Sequence, residues 1–345
     1  MDTFGRNYRV SVFGESHGGA IGVVVDGVPA GIILSEQDFM TDIDRRRSGA
    51  KGTTPRREPD VPEVLSGIYE GHTTGAPLAV IFRNRNTRSR DYSLFREVPR
   101  PGHADFVAGV KWHGFNDPRG GGHFSGRLTL PLVAAGTVAK KILSLLAGSF
   151  EVKAELLEIG GISSDVPDVR EKWDRLLDET AEDGDSLGGI VGCTVDGLPV
   201  GLGEPFFCSV ESLISQAVFS IPGVRGIEFG DGFNAARMKG SQHNDVFVSR
   251  DGKCATNGAG GINGGITNGN PIVFRVAFKP TSSISRVQNT LDFRKGELTG
   301  LEVPGRHDVC FALRTPVVVE AAASIALADL ALSSMSSGYI QTAVI

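Results

Sequence analysis

The chain has 345 residues, a formal net charge of -5, 40% hydrophobic residues and 22% charged residues. These values are typical of a soluble globular protein with a sizeable core and exclude a disordered or fibrous chain. With no basic excess, neither nucleic acid nor a membrane surface is expected as the main partner. Glycine is unusual, because its 46 residues are nearly double the usual share of about 7%, and they indicate turns and close backbone approaches.

Strand-like and helix-like segments alternate along the chain. In chain order, the pattern predicts strands at 8–13, 20–25, 77–82 and 271–278, loops at 48–62 and 84–126, and helices at 35–47, 132–146 and 317–332. Ser35 is a suitable N-cap for the first helix, with Asp38 three residues later. The second helix is expected to stop near Gly148. The last helix contains Glu320 and Asp329, so it is too short and too charged to span a bilayer, and a buried helix is predicted.

An internal repeat links the two halves. Residues 18–31 read GGAIGVVVDGVPAG and residues 188–201 read GGIVGCTVDGLPVG, with eight of fourteen positions identical. Residues 67–77 similarly echo residues 261–271. Each half also places an arginine just before an alanine-rich apolar helix; these are Arg127 and Arg314. The alternative is chance similarity between glycine-rich turns, but the three matches occur in the same order.

We therefore predict an α+β fold in one large domain, residues 1–345, with two pseudo-repeats at about 1–150 and 151–335. Two copies of a strand–helix unit most simply pack with pseudo-two-fold symmetry, since each copy covers the apolar face of the other. Loops longer than about 12–15 residues are usually functional or disordered. The long loops here contain His, Arg and Gly, which favours function.

The cysteines indicate a reducing compartment. They are Cys193, Cys208, Cys254 and Cys310, and they form no CxxC pair. The N-terminus, MDTFGRNYRV, is polar and does not resemble a secretory signal. Free thiols in the cytoplasm are therefore expected.

A basic cluster is the first candidate binding feature. Residues 44–58 read DRRRSGAKGTTPRRE, with six basic against two acidic residues, a local charge of +4. Arginine forks bind carboxylates and phosphates through two hydrogen bonds, so the cluster predicts a site for a polyanionic small molecule. Arg100, Arg119 and Arg127 would add to it if their loops converge. The alternative is a solvated helix end, where cations suit the helix dipole.

Several histidines lie in glycine-rich turns. They are His17 in GESHG, His103 in RPGHAD, His123 in GGGHFSG, His243 in GSQHND and His307 in GRHD. Such positions are poorly explained as core packing, and histidine transfers protons near neutral pH. For any single histidine, a capping or hydrogen-bonding role is the alternative.

Other common chemistries lack their motifs. The sequence contains no HExxH, paired-cysteine or EF-hand pattern, so no metal site is predicted. It also lacks a GxSxG elbow and a P-loop. Residues 258–265 are rich in glycine but miss the GxGxxG spacing, so a dinucleotide loop is poorly supported. Residues 279–283 read KPTSS, in which a lysine beside three hydroxyls could hold a phosphate.

Together these segments resemble the chorismate synthase family. The resemblance runs in the family's order through FGESHG, VDGVPAG, DRRR, RREPD, RPGHAD, RGGG, GFNAARMKGSQHND, NGAGGINGGITNGNPI, KPTSSI and GRHD, and covers nearly the whole chain. It implies a β-α-β sandwich with internal duplication, usually assembled as a homotetramer. The implied reaction is an anti-1,4-elimination that converts 5-enolpyruvylshikimate 3-phosphate to chorismate and phosphate. Reduced FMN is the implied cofactor, with no net redox change.

The resemblance also implies roles for particular residues. His17 would protonate the reduced flavin and His103 the leaving phosphate, while Ser16 and Asp308 would form a relay near the flavin N5. The positions that match substrate-anion residues are Arg46, Lys51, Arg100 and Arg127. The first two also match positions where the family places a nicotinamide nucleotide. The positions that match flavin contacts are His123, Phe124, Ser125, Pro222, Gly223, Gly264, Lys279, Pro280, Thr281, Ser282, Ser283 and Arg306.

The chain departs from the family in two places. Many members read RSSARET after RGGG, whereas this chain reads HFSGRLT. Lys51 stands where arginine is common, and lysine keeps the charge but loses the two-pronged geometry. The sequence shows no flavin-reductase domain, so a separate reductase or another reductant, with NAD(P)H as one source, is expected.

Two other functions compete with this hypothesis. The first is a non-catalytic homologue that binds flavin or phosphorylated metabolites. The second is a nucleic-acid binder, which the net charge and the lack of interleaved aromatic residues disfavour.

Overall fold

The computed structural model describes residues 2–56, 58–86, 89–303, 305 and 307–336. The strands are β1 (Thr3–Phe4), β2 (Arg9–Gly14), β3 (Ala20–Asp26), β4 (Glu63–Ser66), β5 (Ile68–Tyr69), β6 (His72–Thr73), β7 (Leu78–Arg83), β8 (Glu151–Ile159), β9 (Ile162–Ser163), β10 (Gly189–Asp196), β11 (Val224–Phe229), β12 (Ile262–Asn263), β13 (Ile266–Thr267), β14 (Ile272–Phe278), β15 (Gln288–Asp292) and β16 (Glu297–Leu301). The helices are α1 (Glu36–Arg46), α2 (Asp105–Lys111), α3 (Thr129–Ala147), α4 (Val169–Glu182), α5 (Val210–Phe219), α6 (Gly240–His243) and α7 (Pro316–Ser336).

Within these residues, two five-stranded antiparallel sheets form the framework. The first has the order β1-β2-β3-β7-β4 and the second the order β11-β14-β10-β8-β9. In β14, Ile272, Phe274, Val276 and Phe278 are buried while the residues between them are more exposed. Because successive side chains of a strand point to opposite faces, this alternation gives the sheet one apolar face that must be covered.

Two long helices cover the apolar faces. Helix α3 packs against β3, α7 packs against β8 and β10, and the two helices pack against each other. By length and composition alone, α3 and α7 are apolar enough and long enough to cross a membrane. However, 61% of the apolar stretch of α3 and 83% of that of α7 are buried inside the protein. A helix that is apolar on all sides is typical of a protein core.

The predicted elements agree with the structure in position and differ at some boundaries. The four predicted strands lie within one residue of β2, β3, β7 and β14 at each end, and Ser35 is the N-cap of α1. Helix α3 begins three residues before the predicted 132, because Pro131 is tolerated within a first helical turn. It ends at Ala147, and its C-cap is Gly148, which has a positive φ of 68°. The prediction of a continuous loop over 84–126 was wrong in part, since α2 lies inside it.

The repeated sequence segments occupy matching places in the two sheets. Strand β3 is the central strand of the first sheet, and β10 is the central strand of the second. The second pair of matched segments forms two small hairpins, β5–β6 and β12–β13. Each of the two arginines noted in the sequence lies just before a central helix, α3 or α7.

A buried carboxylate on α7 connects the two halves. Glu320 accepts hydrogen bonds from Arg45 Nη2 at 2.6 Å, from Lys140 Nζ at 3.0 Å and from the Ala154 backbone N–H at 2.9 Å. Burial raises the pKa of Glu320, but these charged and backbone donors together outweigh burial and hold the pKa below its usual value. The carboxylate is therefore ionised at neutral pH and joins α1, α3 and β8 to α7.

A second buried carboxylate fixes the N-terminal loop. Asp329 Oδ1 accepts the backbone N–H groups of Arg6 at 2.8 Å, Asn7 at 2.6 Å and Tyr8 at 2.9 Å. The side-chain amide of Asn7 also donates to Ser333 Oγ at 2.6 Å. The start of the chain is thus attached to its last helix.

Candidate active site

A cavity of about 1290 Å³ lies where loops from both halves meet. Its lining comes from the turn after β2, the loops around residues 46–60, 100–104, 120–127, 222–225 and 279–283, and the segment 305–314. Sites for single small ligands usually measure about 300–1,000 Å³. This cavity therefore has room for a cofactor-sized molecule together with a small substrate.

A glycine loop brings two of the predicted histidines together. Gly120 and Gly121 have positive φ values of 61° and 80°. A Cβ built on Gly120 would lie 2.6 Å from His17 Nε2, and one built on Gly121 would lie 3.4 Å from His103 Nε2. The backbone of this loop therefore touches one imidazole and lies close to the other, and Gly120 leaves no room for a side chain.

His17 lies on the turn that follows β2 and is 8% exposed. Its ring meets that of Tyr92 edge to face at a centroid distance of 5.2 Å. Burial lowers the pKa of His17, and the positive charges of Arg56 and Arg119 lower it further. The imidazole is therefore mostly neutral at neutral pH in the absence of ligands.

His103 lies in a cluster with Arg100 and Asp105. His103 Nδ1 is 2.6 Å from Asp105 Oδ1, and Arg100 donates to both oxygens of the same carboxylate at 2.7 Å. Arg100 Nη1 also donates to Ser283 Oγ at 2.8 Å. Burial lowers the pKa of His103, while the hydrogen bond to Asp105 opposes this shift.

Asp308 and Ser16 contact the same loop segment from two directions. The carboxylate of Asp308 accepts the Thr54 backbone N–H at 2.9 Å and the Nη2 of Arg314 at 2.8 Å. Ser16 is fully buried, and its Oγ lies 3.4 Å from Arg56 Nη1. The two residues predicted as a relay are therefore connected through residues 54–56.

Arg46 and Arg127 share one buried acid, Asp60. Arg127 Nη1 makes a short ion pair with this acid, and Arg46 Nη1 lies 3.6 Å from its other oxygen. Arg46 also donates to the Gly126 carbonyl at 2.8 Å. Burial and the positive charge of Arg314 lower the pKa of Arg46 to about 9. A single carboxylate between two guanidinium groups leaves excess positive charge, which favours an anionic ligand.

Several buried polar atoms around the cavity have no hydrogen-bond partner within the described residues. They are Arg47 Nε, Arg56 Nε, Arg127 Nη2, Thr281 Oγ1 and His307 Nε2. A buried donor or acceptor without a partner costs about 1–3 kcal/mol. Most such groups in proteins do find a partner, so these atoms are suited to ligand contacts.

The segment 279–283 forms one wall of the cavity and is attached to the loop that carries His103. Ser282 Oγ donates to the Gly102 carbonyl at 2.7 Å, and Lys279 Nζ contacts the same carbonyl at 3.2 Å. Burial lowers the pKa of Lys279, followed by the charge of Arg225. Pro280, Thr281, Pro222 and Gly223 also line the cavity, so most of the predicted flavin contacts are brought together.

The residues of the HFSGRLT departure lie at the rim. His123, Phe124 and Ser125 all line the cavity. His123 is held by the Gly14 carbonyl at 3.0 Å and by Asp2 at 3.1 Å. The Phe124 ring packs on Trp112 at a centroid distance of 5.8 Å. Imidazole and phenyl rings thus occupy this part of the rim.

Other predicted site residues are not brought to the cavity. Lys51 is 45% exposed and pairs with Asp178 on α4 at 2.7 Å. Gly264 lies in the turn between β12 and β13, where a built Cβ meets nothing within 4 Å. Neither residue lines the cavity, so their roles stay predictions. Arg306 lies outside the described residues.

Sequence reasoning missed several residues of the site. Asp60 and Asp105 were present in the quoted motifs RREPD and RPGHAD but were given no role. Arg314 was noted only as a marker of the repeat, and Tyr92 had no local signal. Asp105 lies in the same short motif as its partner Arg100, which is a signal that could have found it, whereas the pairing of Asp60 with Arg127 is visible only in the folded structure.

The part of the chain that the structure describes also contains cysteines and potential metal ligands. Cys193 and Cys310 are buried free thiols, and burial raises the pKa of Cys310 to about 11. Within the residues that the structure describes, no group of three or more His, Cys, Asp or Glu side chains could hold a metal ion.

Known proteins resemble this chain over nearly its full length. The family model described as chorismate synthase matches residues 8–332. The chain is 58% identical over 340 residues to chorismate synthase of Chitinophaga pinensis, covering 99% of each chain. It is 46% identical over 356 residues to that of Korarchaeum cryptofilum, covering 97% of this chain and 98% of the relative. A crystal structure of chorismate synthase, 27% identical, superposes with a TM-score of 0.73 over 98% of both chains.

Proposed function

The chain belongs to the chorismate synthase family, whose members are lyases of the shikimate pathway, and on that premise we propose how its cavity carries out the reaction. In this proposal, 5-enolpyruvylshikimate 3-phosphate binds in the cavity and loses phosphate by anti-1,4-elimination to give chorismate. The observation that carries the proposal is the position of His17 and His103 against one glycine loop in a cavity lined by arginines.

The arginines suit the charge of the substrate. The substrate has one phosphate and two carboxylates, and guanidinium groups bind both kinds of anion through two hydrogen bonds. Arg127 Nη2 and Arg56 Nε are buried donors without partners, so they are available to these anions. We assign Arg46 and Arg100 to the same substrate site, since both line the cavity.

His103 is assigned as the acid for the leaving group. Phosphate leaves more readily when a proton is delivered to its bridging oxygen, and a positioned general acid contributes about 10²–10⁴-fold in rate. Arg100 lies beside His103 and would stabilise the charge that develops on the phosphate. His17, which lies against the same glycine loop, would donate a proton to the reduced flavin. Ser16 and Asp308, which are connected through residues 54–56, would form the relay.

The remaining wall of the cavity fits reduced FMN. Ser125, Pro222, Gly223 and the segment 279–283 would hold it, and the unpartnered Thr281 Oγ1 supports a ligand on this wall. When bound, the reduced flavin would supply electron density to the substrate and take it back, so the reaction needs no net redox change. We also assign Phe124 and His123 to the rim of the flavin site; Gly264 and Arg306 stay predicted contacts.

We further propose that the fold is a β-α-β sandwich made by internal duplication. The matching positions of β3 and β10 and of the two small hairpins support this proposal. The pseudo-repeats at about 1–150 and 151–335 would form one domain, because the cavity takes residues from both.

The biological context follows from the family. We propose a cytoplasmic homotetramer that receives reduced flavin from a separate reductase or another reductant. Direct use of NAD(P)H through Arg46 and Lys51 is less well supported, since Arg46 is buried beside Asp60 whereas Lys51 pairs with Asp178 on the surface.

Anaerobic turnover tests the proposed function. The purified chain is mixed with substrate and photoreduced FMN, and chorismate absorbance and free phosphate are followed together. We expect equal amounts of both products with reduced FMN and neither with oxidised FMN. Phosphate release without flavin would contradict the proposal, and ligand binding without chorismate would favour the non-catalytic homologue.

A further inference from the structure

We propose that Asp105 is a positioning residue for the acid of this reaction: it fixes the proton of His103 on Nδ1, directs Nε2 into the cavity and holds Arg100 beside it. The inference rests on the proposed role of His103 and assigns to Asp105 a task that the motif RPGHAD does not by itself indicate.

One carboxylate binds both His103 and Arg100. Asp105 Oδ1 lies 2.6 Å from His103 Nδ1 and accepts Arg100 Nη2 at 2.7 Å. Asp105 Oδ2 accepts Arg100 Nε at 2.7 Å and the Arg100 backbone N–H at 3.1 Å. The Asp105 side chain is 5% exposed. Its oxygens therefore bind protein donors rather than bulk water.

The ionisation of Asp105 decides the tautomer of His103. Burial raises the pKa of Asp105, but hydrogen bonds from Arg100 and His103 outweigh burial and bring the pKa well below its usual value. An ionised carboxylate only accepts hydrogen bonds, so the His103 nitrogen 2.6 Å away must carry a proton. Arg100 Nη2, at 3.0 Å from the same nitrogen, then cannot donate to it.

This assignment leaves Nε2 as the nitrogen that exchanges its proton. His103 Nε2 lies 3.4 Å from a Cβ built on Gly121, and His103 itself lines the cavity. A carboxylate that holds one ring nitrogen fixes both the tautomer and the orientation of the imidazole. The orientation of this imidazole is therefore fixed before the ligand binds.

The same carboxylate holds Arg100 in place. Arg100 Nε and Nη2 donate to Asp105, and Arg100 Nη1 donates to Ser283 Oγ at 2.8 Å. Hydrogen bonds along two edges of the guanidinium group therefore fix its plane. Its carbon also lies 4.5 Å from the ring centroid of Phe95. A change at Asp105 should therefore alter both acid strength and anion binding.

Asp105 raises the pKa of His103, whereas burial and the nearby cations lower it. The titratable and charged groups that influence this imidazole are Arg100, Asp105, Lys279 and His307. Burial and the cations favour neutral imidazole, whereas Asp105 favours the protonated form that serves as the acid. Removal of this negative charge should lower the pKa of His103 further, so that less of it is protonated at a given pH.

The test combines nitrogen NMR with a pH profile in Asp105→Asn, Asp105→Glu and the matched control Glu63→Gln. Glu63 also pairs with an arginine, Arg83, but lies on the exposed strand β4 away from the cavity lining. With ¹⁵N-labelled histidine, the His103 signals are assigned by their loss in His103→Ala. We expect neutral His103 of the wild type to carry its proton on Nδ1.

In Asp105→Asn we expect the His103 titration midpoint and the basic limb of kcat against pH to move to lower pH together. The value of kcat should fall about 10-fold or more, in keeping with the contribution of a positioned acid. Asp105→Glu should recover part of the titration shift, and Glu63→Gln should match the wild type in both measurements.

The outcomes separate the inference from the proposed function. A neutral wild-type His103 with its proton on Nε2, or an unchanged titration and pH limb in Asp105→Asn, would overturn the role of Asp105. Equal rates for wild type and His103→Ala would instead remove the proposed role of His103. If Asp105→Asn does not fold, the tautomer measured in the wild type still decides the question.

Discussion

Gly136 of α3 lies so close to Ala321 of α7 that a Cβ built on the glycine would be 2.3 Å from the alanine Cβ and 2.5 Å from its Cα. Each helix covers a different sheet, so this contact fixes how closely the two layers approach. Alanine normally favours a helix over glycine by about 0.8–1.0 kcal/mol. Here the packing should reverse that preference.

We expect Gly136→Ala to lower the free energy of unfolding by about 1–3 kcal/mol, the usual cost of overpacking a core. The matched control is Gly109→Ala on α2, where a built Cβ meets nothing within 4 Å. That substitution should be neutral or stabilising by up to about 1 kcal/mol. Urea unfolding measures both, and a stabilised Gly136→Ala would contradict the close contact.

Gly120→Ala should reduce turnover strongly while the protein remains folded. The added methyl group would fall 2.6 Å from His17 Nε2 and 2.8 Å from Ser16 Oγ, which forces the histidine or the loop to move. Gly148→Ala is the control, because Gly148 has a similar φ of 68° but open space around it. Both variants should lose about 1 kcal/mol of stability from backbone strain, and Gly120→Ala should lose more through its close contacts. Only Gly120→Ala should slow single-turnover chorismate formation.

His17→Ala and His103→Ala should each slow turnover by about 10²-fold or more, the contribution of a general acid or base. Single-turnover rates with reduced FMN in excess measure this effect without product release. Thermal unfolding should remain close to that of the wild type for His17→Ala. Rates near the wild-type value in both variants would remove the two imidazoles from the mechanism.

Glu320→Gln should be destabilising at neutral pH, by about 3–5 kcal/mol, as expected when one partner of a buried ion pair is removed. The folded-state pKa of Glu320 lies below its usual value. Its charge therefore adds stability above about pH 4.5 that disappears as pH falls through the folded-state pKa. Urea unfolding at several pH values should show the gap between wild type and variant narrowing in acid.

The control for this variant is Glu63→Gln, since the Arg83–Glu63 pair is exposed at 53% and 39%. An exposed pair contributes about 0–1 kcal/mol, so the control should remain near the wild type at every pH. A constant gap for Glu320→Gln between neutral and acidic pH would contradict the lowered pKa.

The fold could be predicted from the sequence in those segments where the spacing of apolar residues also determines which side chains are buried. The alternation of β14 and the continuous apolar run of α7 gave elements close to those observed. Helix α2 could not be predicted, because its seven residues include Gly109 and have no side-chain N-cap. A helix this short depends on packing rather than on its own propensity.

The site could be predicted where its residues lie within one short motif. His103, Arg100 and Asp105 are local neighbours, and RPGHAD led to the first two, whereas the role of Asp105 needs the contacts of the folded structure. The partner of Lys51 is 127 residues away on α4, and nothing near Lys51 in the sequence indicates an ion pair with Asp178. Asp60 and Arg127 are 67 residues apart along the chain, so their pairing also needs the folded structure.

The attachment of the first loop to Asp329 has a consequence for biosynthesis. The backbone groups of Arg6, Asn7 and Tyr8 are held by a residue more than 320 positions later in the chain. A nascent chain cannot make these bonds until nearly all of it has left the ribosome. Contacts of such high sequence separation slow folding and leave early segments exposed in the meantime. The turn that carries His17, which follows this loop, should therefore reach its final position only after synthesis is complete.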